Sequence, residues 1–179
     1  MQLDELSARA EIADLLARYG FYADCGAIDA WLDLFCDDAY MDVPDYSSDA
    51  DAPAIRLSGR EELRVSIVDA PAVRALRGRM QHHMCGPRTV LIEGDVAQVD
   101  SYGTVISLPD PAGTGGSEVT TSLQFNRWFL RRIDGSWKIA GCVRRRVRQS
   151  APLLRQIAEH ASAAGTAPAA PAGHGPDGR

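Results

Sequence analysis

The chain has 179 residues, with 24 Asp and Glu against 19 Lys and Arg for a net charge of −5, and 45% of it is hydrophobic. That length suits one compact domain able to bury a core without disulfides or a metal staple, and the acidic balance argues against a general nucleic-acid binder. No apolar run approaches the ~20 residues of a membrane span, and the opening MQLDELSARAEIADLL carries acids in helical spacing where a signal peptide would be basic and then apolar, so a cytoplasmic protein is expected.

From Leu6 to about Tyr22, Ile12, Leu15, Leu16, Tyr19 and Tyr22 or Ala23 fall on one stripe and predict a long amphipathic helix. Gly26 permits a break, Asp29 can cap, and AWLDLF (Ala30 to Phe35) predicts a second short helix whose Trp31, Leu34 and Phe35 face the first. CDDAYMDVPDY reads as a turn into a strand. Ser58 is a candidate cap for a third helix over REELRVSIVDA, which Pro71 limits. The period then changes. RTVLIEGDVAQVDSYGTVISL reads as strand, Gly-Asp turn and strand, and TTSLQFNRWFLRRIDGSWKIAGCVRRRV as a second hairpin around Asp134-Gly135. The segment PDPAGTGGSE connects the two pairs. APLLRQIAEHA predicts a closing helix, and the Ala, Pro and Gly tail over 163–179 lacks core-forming residues and is expected to be disordered, leaving one domain over 1–162. Cys25, Cys36, Cys85 and Cys142 form no C-x-x-C pair, which supports neither a zinc ribbon nor a redox motif.

Helices followed by long antiparallel hairpins predict an α+β domain in which a curved, mostly antiparallel sheet wraps the N-terminal helices as a cone, with an interior pocket at its open mouth. The pattern YGFYADCGAIDAWLDLFCDDAYMDV, PDYSS, QHHMCGPRTVLIEGDVAQVDSYGTV and NRWFLRRIDGSWKIAG, spanning roughly Leu6 to Val147, resembles the SnoaL-like branch of the nuclear transport factor 2 (NTF2-like) fold, with scytalone dehydratase and bile acid 7-alpha-dehydratase as similar members. Fold alone says little about chemistry on this scaffold.

The resemblance implies a dyad inside the cone: Asp24, at the end of the first helix, and His83, ahead of MCGPRTVLIEGD. A carboxylate against one imidazole nitrogen fixes the tautomer and leaves the other nitrogen to take and return a proton near neutral pH. The plainer readings are a hydrogen-bonded structural histidine and a helix-end carboxylate. His82, next along a strand, points to the other face, which also weakens a zinc site built from His82, His83 and Cys85. The resemblance further implies substrate contacts from Tyr46 in PDYSS and from Asn126. Gln124, Asn126 and Trp128 share a strand face. Tyr102 shares one with Gln98, Asp100 and Thr104, either lining the cavity or joining a polar outer surface. Tyr19 is a further lining candidate on a stripe where core packing is the default. Two departures argue against scytalone itself as substrate. Ala23 stands where scytalone dehydratase has a tyrosine, and SLPDPAG holds no second histidine.

The function implied is a cofactor-free lyase, a dehydratase acting on a small hydrophobic, carbonyl-bearing secondary metabolite such as a polyketide intermediate, with neither cofactor nor metal. Aldol cyclisation or a double-bond shift would use the same enolate. A non-catalytic cone subunit, similar to the small subunit of ring-hydroxylating dioxygenases, and a small-molecule binding protein are the other classes. Neither nucleic acid nor membrane is expected as a partner, whereas relatives imply a homodimer or homotrimer. The run Arg144, Arg145, Arg146 and Arg148 reads either as a solvated face paired with the chain's acids or as a basic edge for a carboxylate, an acyl carrier protein or another subunit.

Overall fold

Helix α1 (Leu3–Asp24) runs beyond the predicted stripe at both ends, with Asp4 and Glu5 in the first turn where the helix dipole favours acids. Its Ala8, Ile12, Leu15, Leu16 and Tyr19 are buried. The structure, a computed structural model, describes residues 3–44, 54–68, 79–109, 119–147 and 150–165. No helix among the described residues is long and apolar enough to cross a membrane.

Helix α2 (Ile28–Leu32) buries Trp31 and Leu32 but stops short of the expected Phe35. Phe35 instead opens strand β1 (Phe35–Val43), paired with Ile139, and the Ile139 N–H donates to the Leu34 carbonyl at 2.8 Å. Sheet pairing thus takes residues whose spacing also suited a helix. Strand β2 (Ile55–Ser58) precedes helix α3 (Gly59–Val68), and the backbone N–H of Ser58 donates to Glu62 Oε2 at 2.7 Å, so a side chain of the first helical turns satisfies the donor just ahead of the helix.

Strands β3 (Arg79–Glu93), β4 (Val96–Pro109), β5 (Thr120–Ile133) and β6 (Ser136–Arg146) complete a six-stranded sheet in the order β2-β1-β6-β5-β4-β3. Every pair is antiparallel except β1 with β6. Strand β3 begins nine residues before the expected Arg88, so both central histidines lie within it. Asp134 and Gly135 have φ of 48° and 79°, the left-handed pair that a two-residue type I′ hairpin turn requires. Helix α4 (Ala151–Gly165) belongs to a second unit starting at Ser150; it takes in the first three residues of the predicted tail, and the rest of that tail lies outside the described residues.

One sheet face packs on α1. Its apolar part consists of Ala97 and Val99 from β4, Trp128 and Leu130 from β5, and Ile139 and Cys142 from β6, all buried with α1 and α2 in one cluster. Further along the same strands this face becomes polar: Ser101 follows Val99, Asn126 and Gln124 precede Trp128, and Arg144 and Arg146 follow Cys142. The opposite face carries a nearly buried ion pair between directly opposed residues, with Arg127 Nε and Nη2 donating to the Asp100 carboxylate at 2.7 and 3.1 Å. Ile12, wholly buried at the middle of α1, sits at the dry end. Ile12→Ala is expected to cost about 3 kcal/mol through lost burial and the cavity left behind, measured by chemical denaturation.

Candidate active site

Asp24 is the last residue of α1, one turn after Gly20. A Cβ on Gly20 would lie 3.2 Å from the His83 carbonyl oxygen and 3.3 Å from its Cβ. A glycine at this position lets the helix end press against β3. Because β3 is an edge strand, backbone donors on its outer side need partners from elsewhere. The Asp24 carboxylate supplies one. It accepts the His83 backbone N–H at 2.9 Å on Oδ2 and 3.2 Å on Oδ1, and the His83 ring through Nδ1 at 2.5 Å on Oδ1.

One carboxylate therefore grips a single residue by main chain and ring together, holding Nδ1 as the donor and Nε2 as the basic nitrogen. Both side chains retain some solvent access, 19% for His83 and 17% for Asp24. Burial pushes the His83 pKa below its ordinary 6.5; the hydrogen bond and charge of Asp24 oppose this, and the Arg144 charge adds to the lowering. The imidazole is thus poised as a neutral base at pH 7.

The remaining sequence candidates separate clearly. His82 pairs with Ile106 and His83 with Val105, so the two rings take opposite faces and cannot share a metal in this strand. Among the described residues no group of three or more His, Cys, Asp or Glu side chains is arranged to hold a metal. Asn126 lies on the face that carries the dyad, and Gly103 gives it room, since a Cβ there would fall 2.7 Å from Asn126 Nδ2. The Tyr19 ring is buried against Trp31, Phe35 and Trp128, while its hydroxyl accepts from Arg144 Nη2 at 3.0 Å. Trp128 is a core residue rather than a lining one: it is 1% exposed and its indole N–H is taken up by Ser101 Oγ at 3.0 Å. Tyr102 stands three residues from Val105, on the face away from His83, where its exposed ring packs edge-on to Phe125. Tyr46 lies outside the described residues.

Two residues absent from the expected set build the site. Gly20 carried a signal, an isolated glycine inside a strong helical stripe one turn before an acid. Arg144 carried only its membership of a basic run. A separate cleft of about 520 Å³ opens along Glu11, Leu15, Arg18 and Tyr22. The helical period puts that row on the side of α1 opposite Gly20 and Asp24, so it does not serve the dyad.

These helices and this sheet order define an NTF2-like fold. An NTF2-like protein with a cystatin-like fold from Novosphingobium aromaticivorans is similar at 27% identity and a TM-score of 0.69, over 86% of this chain and 90% of that one. From the same organism, a candidate scytalone dehydratase is similar at 14% identity and TM-score 0.65 (80% and 86% covered), and the beta subunit of a candidate aromatic-ring-hydroxylating dioxygenase at 20% and 0.61 (79% and 90% covered). The SnoaL-like domain model matches residues 4–143. The chain belongs to that family. No curated protein matches the sequence.

The His83 ring should titrate below 6.5 by NMR, and Asp24→Asn should lower that midpoint further by removing the one group that favours the charged ring. A depressed folded-state value means that this group's contribution to stability is complete above the unfolded pKa of about 6.5 and is lost as pH falls through the folded value. Gly20→Ala is expected to displace His83 by a few tenths of an ångström and to loosen its hydrogen bonds to Asp24, seen as a change in the His83 ring and amide NMR signals, with the melting temperature by calorimetry little changed.

Proposed function

We propose that the protein is an acid–base enzyme, a dehydratase of a hydrophobic carbonyl compound such as a polyketide intermediate, working without a cofactor. The observation that carries this reading is the Asp24 grip on both the main chain and Nδ1 of His83, which leaves Nε2 as a base in a partly accessible position. In this scheme His83 Nε2 removes a proton from the carbon beside the carbonyl, and the electron pair moves into an enolate. The enolate collapses to re-form the carbonyl, and a new Cα=Cβ double bond forms as the C–O bond to a β-hydroxyl breaks. The Nε2 proton passes to the departing oxygen, which leaves as water. Asp24, bonded to Nδ1, stabilises the imidazolium formed midway.

The proton removed is the proton returned, so the elimination requires no external oxidant or reductant. Aldol cyclisation or double-bond migration would start from the same enolate and use the same two residues. An assembly subunit that only fills space gains nothing from an imidazole held in one tautomer, and this speaks for catalysis over that role.

With hydroxy-ketone or polyketide substrates, His83→Gln and Asp24→Asn are each expected to lower the rate by about 10²-fold to 10⁴-fold while circular dichroism stays native. Unchanged rates in both variants would remove the dyad from the mechanism.

A further inference from the structure

Proton transfer at His83 leaves one charge unbalanced. Once the base has taken its proton, the imidazolium and Asp24 compensate each other, and the substrate oxygen carries a full negative charge with a carboxylate close by. A cation is needed on the same face. Arg144 is there: on β6 it pairs with Asn126 of β5, whose amide lies against Gly103 opposite Cys85 of β3; burial lowers the His83 pKa with the Arg144 charge adding to it, and burial raises the Cys85 thiol with that charge opposing.

Arg144 is positioned from three elements. Its Nε donates to Asn126 Oδ1 at 2.8 Å, its Nη2 donates to Tyr19 OH at 3.0 Å from α1, and its guanidinium carbon lies 5.9 Å from the Tyr19 ring centre. Both of these acceptors are neutral, and together they fix the orientation of the fork. A register break between Phe129 and Leu130 brings it here. Counted back from the two-residue turn, Asn126 would face Val143 and Arg144 would point to the other side of the sheet; the bulge shifts the pairing by one residue and turns Arg144 inward.

We infer that Arg144, oriented by Asn126 and Tyr19, forms an oxyanion subsite beside the dyad that takes the negatively charged oxygen of an enolate or phenolate. The substrates selected are carbonyl compounds that enolise readily, and phenols that mimic their enolates. The role of that oxygen in turnover rests on the proposed dyad chemistry, whereas anion binding at Arg144 is measured without it.

The probes are 4-nitrophenolate and its neutral methyl ether, 4-nitroanisole, with affinities measured by calorimetry at about pH 8, where a histidine with a pKa of 6.5 or less is neutral. The native protein should prefer the phenolate. Arg144→Gln should erase about tenfold or more of that preference, as expected for loss of a hydrogen bond between charged groups. Arg144→Lys should keep part of it, since the charge remains but the planar fork does not. Asn126→Asp, which sets a carboxylate against the guanidinium, should abolish it and serves as the test if Arg144→Gln does not fold. His83→Gln should leave the preference in place while stopping turnover, so a failed dyad and a failed subsite give different results. Equal binding of both probes by the native protein, or a preference that survives Arg144→Gln or Asn126→Asp, overturns the assignment.

Discussion

The geometry of this protein depends on a single carboxylate at the end of its first helix. Asp24 receives the backbone N–H and the ring Nδ1 of one residue, His83, on a strand 59 positions further along the chain. Charge-assisted bonds of this kind are roughly twice as strong as neutral ones, and two from one residue fix backbone position and side-chain rotamer together. The helix cannot slide without releasing the ring, and the ring cannot turn without leaving a carboxylate half buried. Gly20 makes the contact possible by bringing helix and strand to a separation that no other residue would allow without displacement.

The sheet face beneath α1 changes in character along its length, and this determines where polar side chains gather. At one end Ile139, Leu130, Trp128 and Val99 exclude water around Ile12 and Leu16. At the other, Ser101 takes the Trp128 indole N–H, and Arg144 bonds both Asn126 and Tyr19, whose ring belongs to the core and whose hydroxyl belongs to the polar end. Buried polar groups cost free energy unless partnered, and these are partnered to one another. Asn126 and Tyr19, themselves buried, therefore hold the Arg144 guanidinium in a fixed position.

The helical stripe of α1, the Asp134–Gly135 turn and the alternation of His82 and His83 were all legible in the sequence, because local periodicity and turn chemistry act over a few residues. Asp24 and His83 were legible as a pair only through family resemblance, since nothing local joins positions 59 apart. Period-2 alternation correctly grouped Tyr102 with Gln98 and Asp100 but could not say which side of the sheet that group would take; the ion pair with Arg127 marks it as the side away from α1. Trp128 shares a face with Asn126, yet two residues of travel carry the strand from the polar end into the core. Arg144 was hidden for a different reason. Its direction depends on one unpaired residue in a bulge, and a one-residue slip reverses every later side chain.

The position of β3 at the margin of the sheet gives Asp24 a second consequence. Marginal strands offer rows of unused main-chain donors and acceptors to which a stray extended chain can add, a route to polymerisation. At His83 that invitation is withdrawn, because the helix carboxylate already occupies the donor. The group that orients the His83 ring also seals the border of the sheet there, so one side chain both fixes an imidazole and blocks the addition of a strand.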